Sequence, residues 1–317
     1  MLTGPESIGA IAQQLPDVRV DQDRARAFAE DVSASELSLP EWRGPAFPPE
    51  DTDDTAAFML VANSVNFSFW GNPKWTVTVP AGELDGSFGL FAALTRALEE
   101  GAPLLDASYL SEIPTGDLEH ILRGSVQIPM FEERVAVFRE VGTVLKQRFG
   151  GRPTRVIREA EGSAPALVDL LASCFPSFDD RASYAGAPIA FQKRAQLVPA
   201  MLHARFGGQG WGRLAGLDRL TVFADYKLPQ VLRHLGVLEY ADGLAERVDA
   251  EEELASGSSY EIQIRIATLW AGELIRRVLS ARFPGVTAIH VDGMIWSVGQ
   301  TPSSDRLPYH LTRTIFY

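Results

Sequence analysis

Phe131-Glu132-Glu133-Arg134-Val135-Ala136-Val137-Phe138-Arg139-Glu140-Val141-Gly142-Thr143-Val144-Leu145-Lys146 is the stretch that reads most clearly as structure. Phe131, Val135, Phe138, Val141 and Leu145 return every three or four residues, while Glu132, Glu133, Arg139 and Lys146 fall off that stripe. This is a helix with one buried face, ended by Gly150-Gly151. The same period recurs outward from it. A helix is expected from Asp21 to Val32, and another from a Ser87 cap to Glu100, stopped by Gly101 and Pro103. Others are expected over Ser163 to Cys174 and from about Ile189 to Phe206, the latter ending at Gly207-Gly208. A long helix follows Ser258, which with Glu261 has capping-box spacing, through Ile262, Ile266, Leu269, Trp270 and Ile275. Lys74 to Val79 alternates as a short strand, with turn residues from Pro80 to Gly86, and is the one clear sheet signal. Pro40, Pro45, Pro48 and Pro49 mark an extended connection. The expected architecture is mainly α with a small β-hairpin: residues 1–317 as a single compact helical unit, with 1–57 as a wrapping segment.

The 317 residues, 46% of them apolar, are ample for a substantial core without staples. The single Cys174, beside Leu170, Leu171 and Phe175, reads as a buried thiol in a reducing interior. No apolar run approaches membrane-spanning length, and Met-Leu-Thr-Gly-Pro-Glu lacks the features of a secretion signal, so a cytoplasmic location is expected. A net charge of −12 repels polyanions and argues against nucleic-acid polymers, though a small anionic ligand needs only two or three local cations. The acidic run Asp51, Asp53, Asp54 reads as a solvated edge or helix start.

Absent motifs narrow the chemistry. His120, His203, His234, His290 and His310 are scattered without ligand spacing, so no metal site is expected. There is no dinucleotide or Walker-type loop opening a helix after a strand, and no G-x-S-x-G nucleophile. Carboxylate chemistry remains. In Phe223-Ala224-Asp225-Tyr226-Lys227-Leu228-Pro229-Gln230, Pro229 suits the first turn of a helix running to Leu235 and closed by Gly236. Asp225 then stands just outside a positive helix end, where an anion is favoured and could face a developing cation. The alternative is a plain helix cap.

Asn66-Phe67-Ser68-Phe69-Trp70, Phe191-Gln192-Lys193-Arg194-Ala195-Gln196, the Phe223 to Gln230 stretch and His310-Leu311-Thr312-Arg313-Thr314-Ile315-Phe316-Tyr317 occur in this order. Together with Glu132-Glu133-Arg134, Phe175-Pro176-Ser177-Phe178 and Glu261 to Arg265, they resemble the queuosine salvage protein family, the queuosine 5′-phosphate N-glycosylases, from about Phe58 to the end. The resemblance implies hydrolysis of queuosine 5′-monophosphate to queuine and ribose 5-phosphate, without cofactor. It also implies a helical fold related to helix-hairpin-helix DNA glycosylases. A 7-deazapurine has carbon in place of N7, so the usual leaving-group protonation site is missing and more of the barrier must be lowered at the sugar.

On this resemblance Asp225 stabilises the oxocarbenium ion and orients water. Lys193, a cation in an otherwise apolar helix, reaches Asp225 or the sugar, unless it is a snorkelling surface lysine. Asn66, Phe67, Phe69 and Trp70, with Tyr226, suit stacking and edge recognition of the base, or are core. Lys227, His310, Arg313 and Tyr317 are candidates for holding the ribose 5-phosphate, unless the tail is exposed. Queuine carries a secondary amine, and Asp292 is the acid expected near it. Leu311 stands where the family usually has a second arginine, and Gly293 and Met294 where it tends to have aromatics. Two rivals stay open: a glycosylase acting on modified bases within nucleic acid, and a non-catalytic deazapurine nucleotide-binding protein.

Overall fold

The computed structural model describes residues 3–80, 82–301 and 305–317. From the N-terminus these form α1 (Pro5–Ala12), β1 (Val18–Val20), α2 (Gln22–Asp31), α3 (Asp53–Ser64), β2 (Thr76–Val79), β3 (Gly82–Asp85) and α4 (Gly86–Glu99). Next come α5 (Ala107–Ser111), α6 (Thr115–Ile121), α7 (Phe131–Arg148), α8 (Pro153–Glu159), α9 (Ala164–Cys174), β4 (Arg181–Tyr184) and β5 (Ala187–Ala190). Then follow α10 (Lys193–Arg205), α11 (Lys227–His234), β6 (Leu238–Tyr240), α12 (Asp242–Asp249), α13 (Ser259–Arg282) and α14 (Ala288–Gln300). The fold is mainly helical, as the periodicity indicates.

The α7 stripe is buried as its spacing requires, with Phe138, Val141 and Leu145 fully enclosed. It belongs to one apolar core with α3, α4 and α9, in which Phe58 packs on Phe91 and Phe149 stacks on Phe175. A second core gathers α1, α2, α11, α13 and α14 around residues such as Val18, Leu232 and Ile275. Asp21, Ser163 and Ser258 cap α2, α9 and α13 by accepting the main-chain N–H three residues on. Cys174 is buried.

Several expectations need correction. Ser87 is not a cap, because α4 starts at Gly86 and the Ser87 hydroxyl instead donates to Asn66 Oδ1 at 2.8 Å. The expected turn from Pro80 to Gly86 is mostly strand: Gly82–Asp85 pairs antiparallel with Thr76–Val79, and Ala81 lies outside the described residues. Two further strand pairs are present. β1 pairs with β6 across more than two hundred residues, a contact no local pattern announces. β4 and β5 form a hairpin through Ala185 and Gly186, both at positive φ. Ile189 and Ala190 therefore belong to β5, and α10 starts only at Lys193, after Gln192 adopts a left-handed φ of 49°. The helix after Asp225 starts at Lys227, so Pro229 occupies its third position, where the lost N–H is still one that no helical carbonyl awaits.

The N-terminal residues do more than wrap. α1 and α2 pack on α13, and residues 38–52 form a long irregular strap. That strap is tied down by the buried Arg205, whose guanidinium donates to the carbonyls of Trp42 (2.7 Å), Pro48 (2.6 Å) and Glu50 (3.2 Å) and to Asp51 (2.7 Å). Asp51 is exposed, as a solvated edge would be, and also pairs with Arg205, while Asp53 and Asp54 open α3.

Candidate active site

Buried extended chain from Val222 to Ala224 delivers Asp225 to the start of α11. Its two oxygens divide the work. Oδ1 accepts the main-chain N–H groups of Lys227 (2.7 Å) and Leu228 (3.1 Å), which caps the helix. Oδ2 faces the Lys193 ammonium nitrogen at 3.9 Å, both side chains being largely enclosed. The cap and the functional carboxylate foreseen as alternatives are therefore compatible in one residue. Lys193 is no snorkelling lysine: only 7% of it is exposed. Burial pushes its amine below the usual lysine value, opposed by the carboxylates of Asp225 and Asp292.

Asp292 lies in α14 and accepts the Phe223 N–H at 2.7 Å. Burial pushes its carboxyl well above the ordinary range, against the Phe223 hydrogen bond and with the help of the nearby Asp225 charge. A cationic amine brought beside it would favour its ionised form.

Asp225, Lys193, Asn66, Ser87 and Trp296 stand where two lobes of a cleft meet. The polar lobe, about 500 Å³, is of a size that small-molecule sites typically have. Its walls include Trp70, Lys74, Tyr226, Lys227, Arg306 and Tyr309. The narrower lobe, about 60 Å³, is mostly apolar, with Trp42, Leu197, Met201 and Ile289 among its walls and Asp292 as its acid.

The aromatic stretch after α3 is shaped by two buried arginines. Arg134 donates to the carbonyls of Val65, Phe67 (2.5 Å) and Ser68 (3.0 Å), and Arg194 to those of Asn63 (3.3 Å), Ser64 and Ser177. Burial pulls both down to about 9, which leaves them charged at neutral pH. Phe67 lies between them, 4.3 and 5.1 Å from the two guanidinium carbons, and has no exposed surface. Its ring supports the wall rather than stacking on a base. Phe69 stacks on Trp75, and Trp70 donates its indole N–H to Thr312 O at 3.2 Å with Arg313 over its ring. Asn66 Nδ2 donates to Asn63 Oδ1 at 3.0 Å.

At the basic end, Lys227 reaches Gln230 Oε1, at 3.5 Å, and the Tyr309 ring, at 5.3 Å. Lys74 pairs with Asp85 at 3.1 Å, and Arg306 donates to carbonyls closing α14. Tyr226 packs against Tyr309 with ring centroids 4.9 Å apart. Two expected phosphate ligands do not fit that role. His310 is buried away from the cleft against Tyr317, its imidazole pushed down to about 3 by burial and by Arg265, so it is neutral. Arg313 pairs with Glu253 outside the cleft. Tyr317 lines the polar lobe but spends its hydroxyl on Glu261 at 2.9 Å. Lys74, Ser87, Trp296, Arg306 and Tyr309 went unnoticed in the sequence. Only the strand reading around Lys74 and the cap reading of Ser87 touched any of them, neither as part of a site.

A helical frame with a buried lysine–aspartate pair at the waist of a two-lobed cleft is the setting of a small-molecule glycosidase, and the chain belongs to the queuosine salvage protein family, whose sequence model matches residues 46–317. It is 43% identical over 307 residues to a Sphaerobacter thermophilus protein named queuosine 5′-phosphate N-glycosylase/hydrolase, covering 97% of this chain and 95% of that one. Proteins with the same name in Bos taurus (34% identity, 100% and 99% coverage) and Schizosaccharomyces pombe (27%, 95% of both) are similar along their lengths.

Proposed function

We propose that the chain hydrolyses the N-glycosidic bond of queuosine 5′-monophosphate, releasing queuine and ribose 5-phosphate for salvage into tRNA. The observation that carries this reading is the Asp225–Lys193 pair standing between a cation-bearing lobe and a narrow lobe that holds an acid. The phosphate lies toward Lys227, Lys74 and Arg306. The sugar sits over Asp225, whose Oδ2 faces the positive charge that grows at C1′ as the bond to the base lengthens. The base straddles the junction beside Asn66, and its amine-bearing side chain enters the narrow lobe toward Asp292. Water supplies hydroxide to C1′ and its proton to the departing base, so no co-substrate is needed beyond water.

The same reading places the protein in the cytoplasm, acting on a mononucleotide rather than a polymer. It takes the chain as one unit without cofactor or metal, on a frame related to the helix-hairpin-helix glycosylases. Among the described residues there is no cluster fit to hold a metal, and no helix long and apolar enough to cross a membrane. The deciding experiment is chromatography of queuosine, its monophosphate and a queuosine-bearing tRNA fragment after incubation with the protein, with and without chelator. Free queuine from the monophosphate, unaffected by chelator, is the expected result. Binding of the monophosphate without release of base would establish a carrier instead.

A further inference from the structure

Arg265, in the second turn of α13, is 3% exposed and engages each of its guanidinium nitrogens. Nη1 and Nη2 grip the two carboxylate oxygens of Asp180 at 2.9 and 2.5 Å. Nη1 also reaches Glu261 at 3.4 Å, and Nε donates to the carbonyl of Ala224 at 3.0 Å. The plane is enclosed by the rings of Phe191 and Tyr317, at 3.9 and 4.4 Å.

Each of these contacts leads to a residue that lines the cleft. Ala224 directly precedes Asp225. Asp180 accepts the Lys193 main-chain N–H at 3.3 Å, and its carbonyl accepts those of Phe191 and Gln192 at 3.0 and 3.1 Å. It thereby holds Gln192 in its left-handed conformation and fixes where α10 starts. Glu261 accepts the Tyr317 hydroxyl. Three wall residues from remote parts of the chain are thus referenced to one side chain.

Stability does not account for such a device. A buried ion pair gives up so much hydration that apolar replacements are often neutral or better. What a planar guanidinium offers instead is several donors at fixed mutual angles, which lysine cannot reproduce. We propose that Arg265 and Asp180 are positioning residues that set the Lys193–Asp225 separation for hydrolysis, an inference that rests on the function proposed above.

The test is Arg265→Lys, which keeps the charge and loses the fork. The groups facing the Lys193 amine are Asp225 before α11, Asp292 on α14, Arg194 on α10 and Arg265 on α13. Because R265K preserves all these charges, any change in titration reports geometry. The expectation is a fall in kcat of roughly tenfold to a hundredfold with KM little changed, as for a displacement of about 1 Å at a reacting centre. The basic limb of the kcat profile should also move to lower pH, since a Lys193 drawn away from Asp225 loses its proton more readily. Asp180→Asn, isosteric and still able to accept from Lys193 N, should show the same pattern, and it decides the matter if R265K does not fold. A folded variant with kcat and pH profile unchanged and only a lowered melting temperature would overturn the proposal. An inactive wild-type protein would instead remove the hydrolysis reading and this inference with it.

Discussion

Replacing Asp225 by Asn separates the two duties of that side chain. Asn keeps an acceptor oxygen at Oδ1, where Asp225 takes the N–H groups of Lys227 and Leu228, and it caps helices about as well as Asp. The amide group falls on the Oδ2 side, 3.9 Å from Lys193 Nζ, so the negative charge is lost from the face that meets the sugar. Opposite unit charges about 4 Å apart at an effective dielectric near 20 attract by ~4 kcal/mol. At 1.36 kcal/mol per tenfold in rate, this predicts a loss of about a thousandfold in kcat. The assay is release of queuine from queuosine 5′-monophosphate under saturating substrate, alongside a thermal melt. Unchanged melting with activity down by that order is the expected outcome. If a folded D225N protein kept activity within about tenfold of wild type, a field from this carboxylate could not be the main source of catalysis.

Lys227→Ala should raise KM for the monophosphate by roughly tenfold to a hundredfold, the worth of one charge-assisted hydrogen bond, and leave cleavage of the free nucleoside unaltered; steady-state kinetics on both substrates check it. Asp292 is driven toward its neutral form in the fold, so the folded state binds a proton that the unfolded chain releases above the ordinary Asp value of about 3.9. Wild-type stability should therefore decline as pH rises from about 4 toward the raised value, whereas Asp292→Asn should lack that slope, as pH-dependent denaturant melts would show. The same variant should lose preference for queuosine over plain 7-deazaguanosine monophosphate in a competition assay. Gly142→Ala should destabilise the fold by about 1–3 kcal/mol, because a Cβ there would lie 2.2 Å from Ser111 N where α7 crosses α5, and a denaturation curve measures it.

The α7 stripe, the helices beginning near Asp21 and Ser163, and the cap at Ser258 were legible because helices are specified by residues a few positions apart. The pairing of β1 with β6 was not, since Val18 and Tyr240 say nothing of each other in sequence. Nor was the end of the β4–β5 hairpin, where Ile189 and Ala190 are apolar enough to pass for the first turn of α10. Asp225, Lys193 and Asn66, far apart in sequence, come together at one cleft. At the basic end a cation's sequence position does not tell whether it has a carboxylate at hand: Glu253 claims Arg313, while Lys227 contacts the Gln230 amide and the Tyr309 ring. His310 shows the same limit, because a histidine sealed beside Tyr317 and a histidine at a phosphate look alike in one dimension.

α10 carries the lysine of the cleft at one end and Arg205 at the other. That helix therefore acts as a beam from which both the reacting centre and the strap bearing Trp42 are hung. The strap's leading residues, Leu39, Pro40 and Trp42, precede the stretch matched by the family's sequence model yet close one side of the narrow lobe. Trimming the protein to residues 46–317 would open that side to solvent and strand a guanidinium that has lost part of its carbonyl cradle, so substrate selection and folding would falter together.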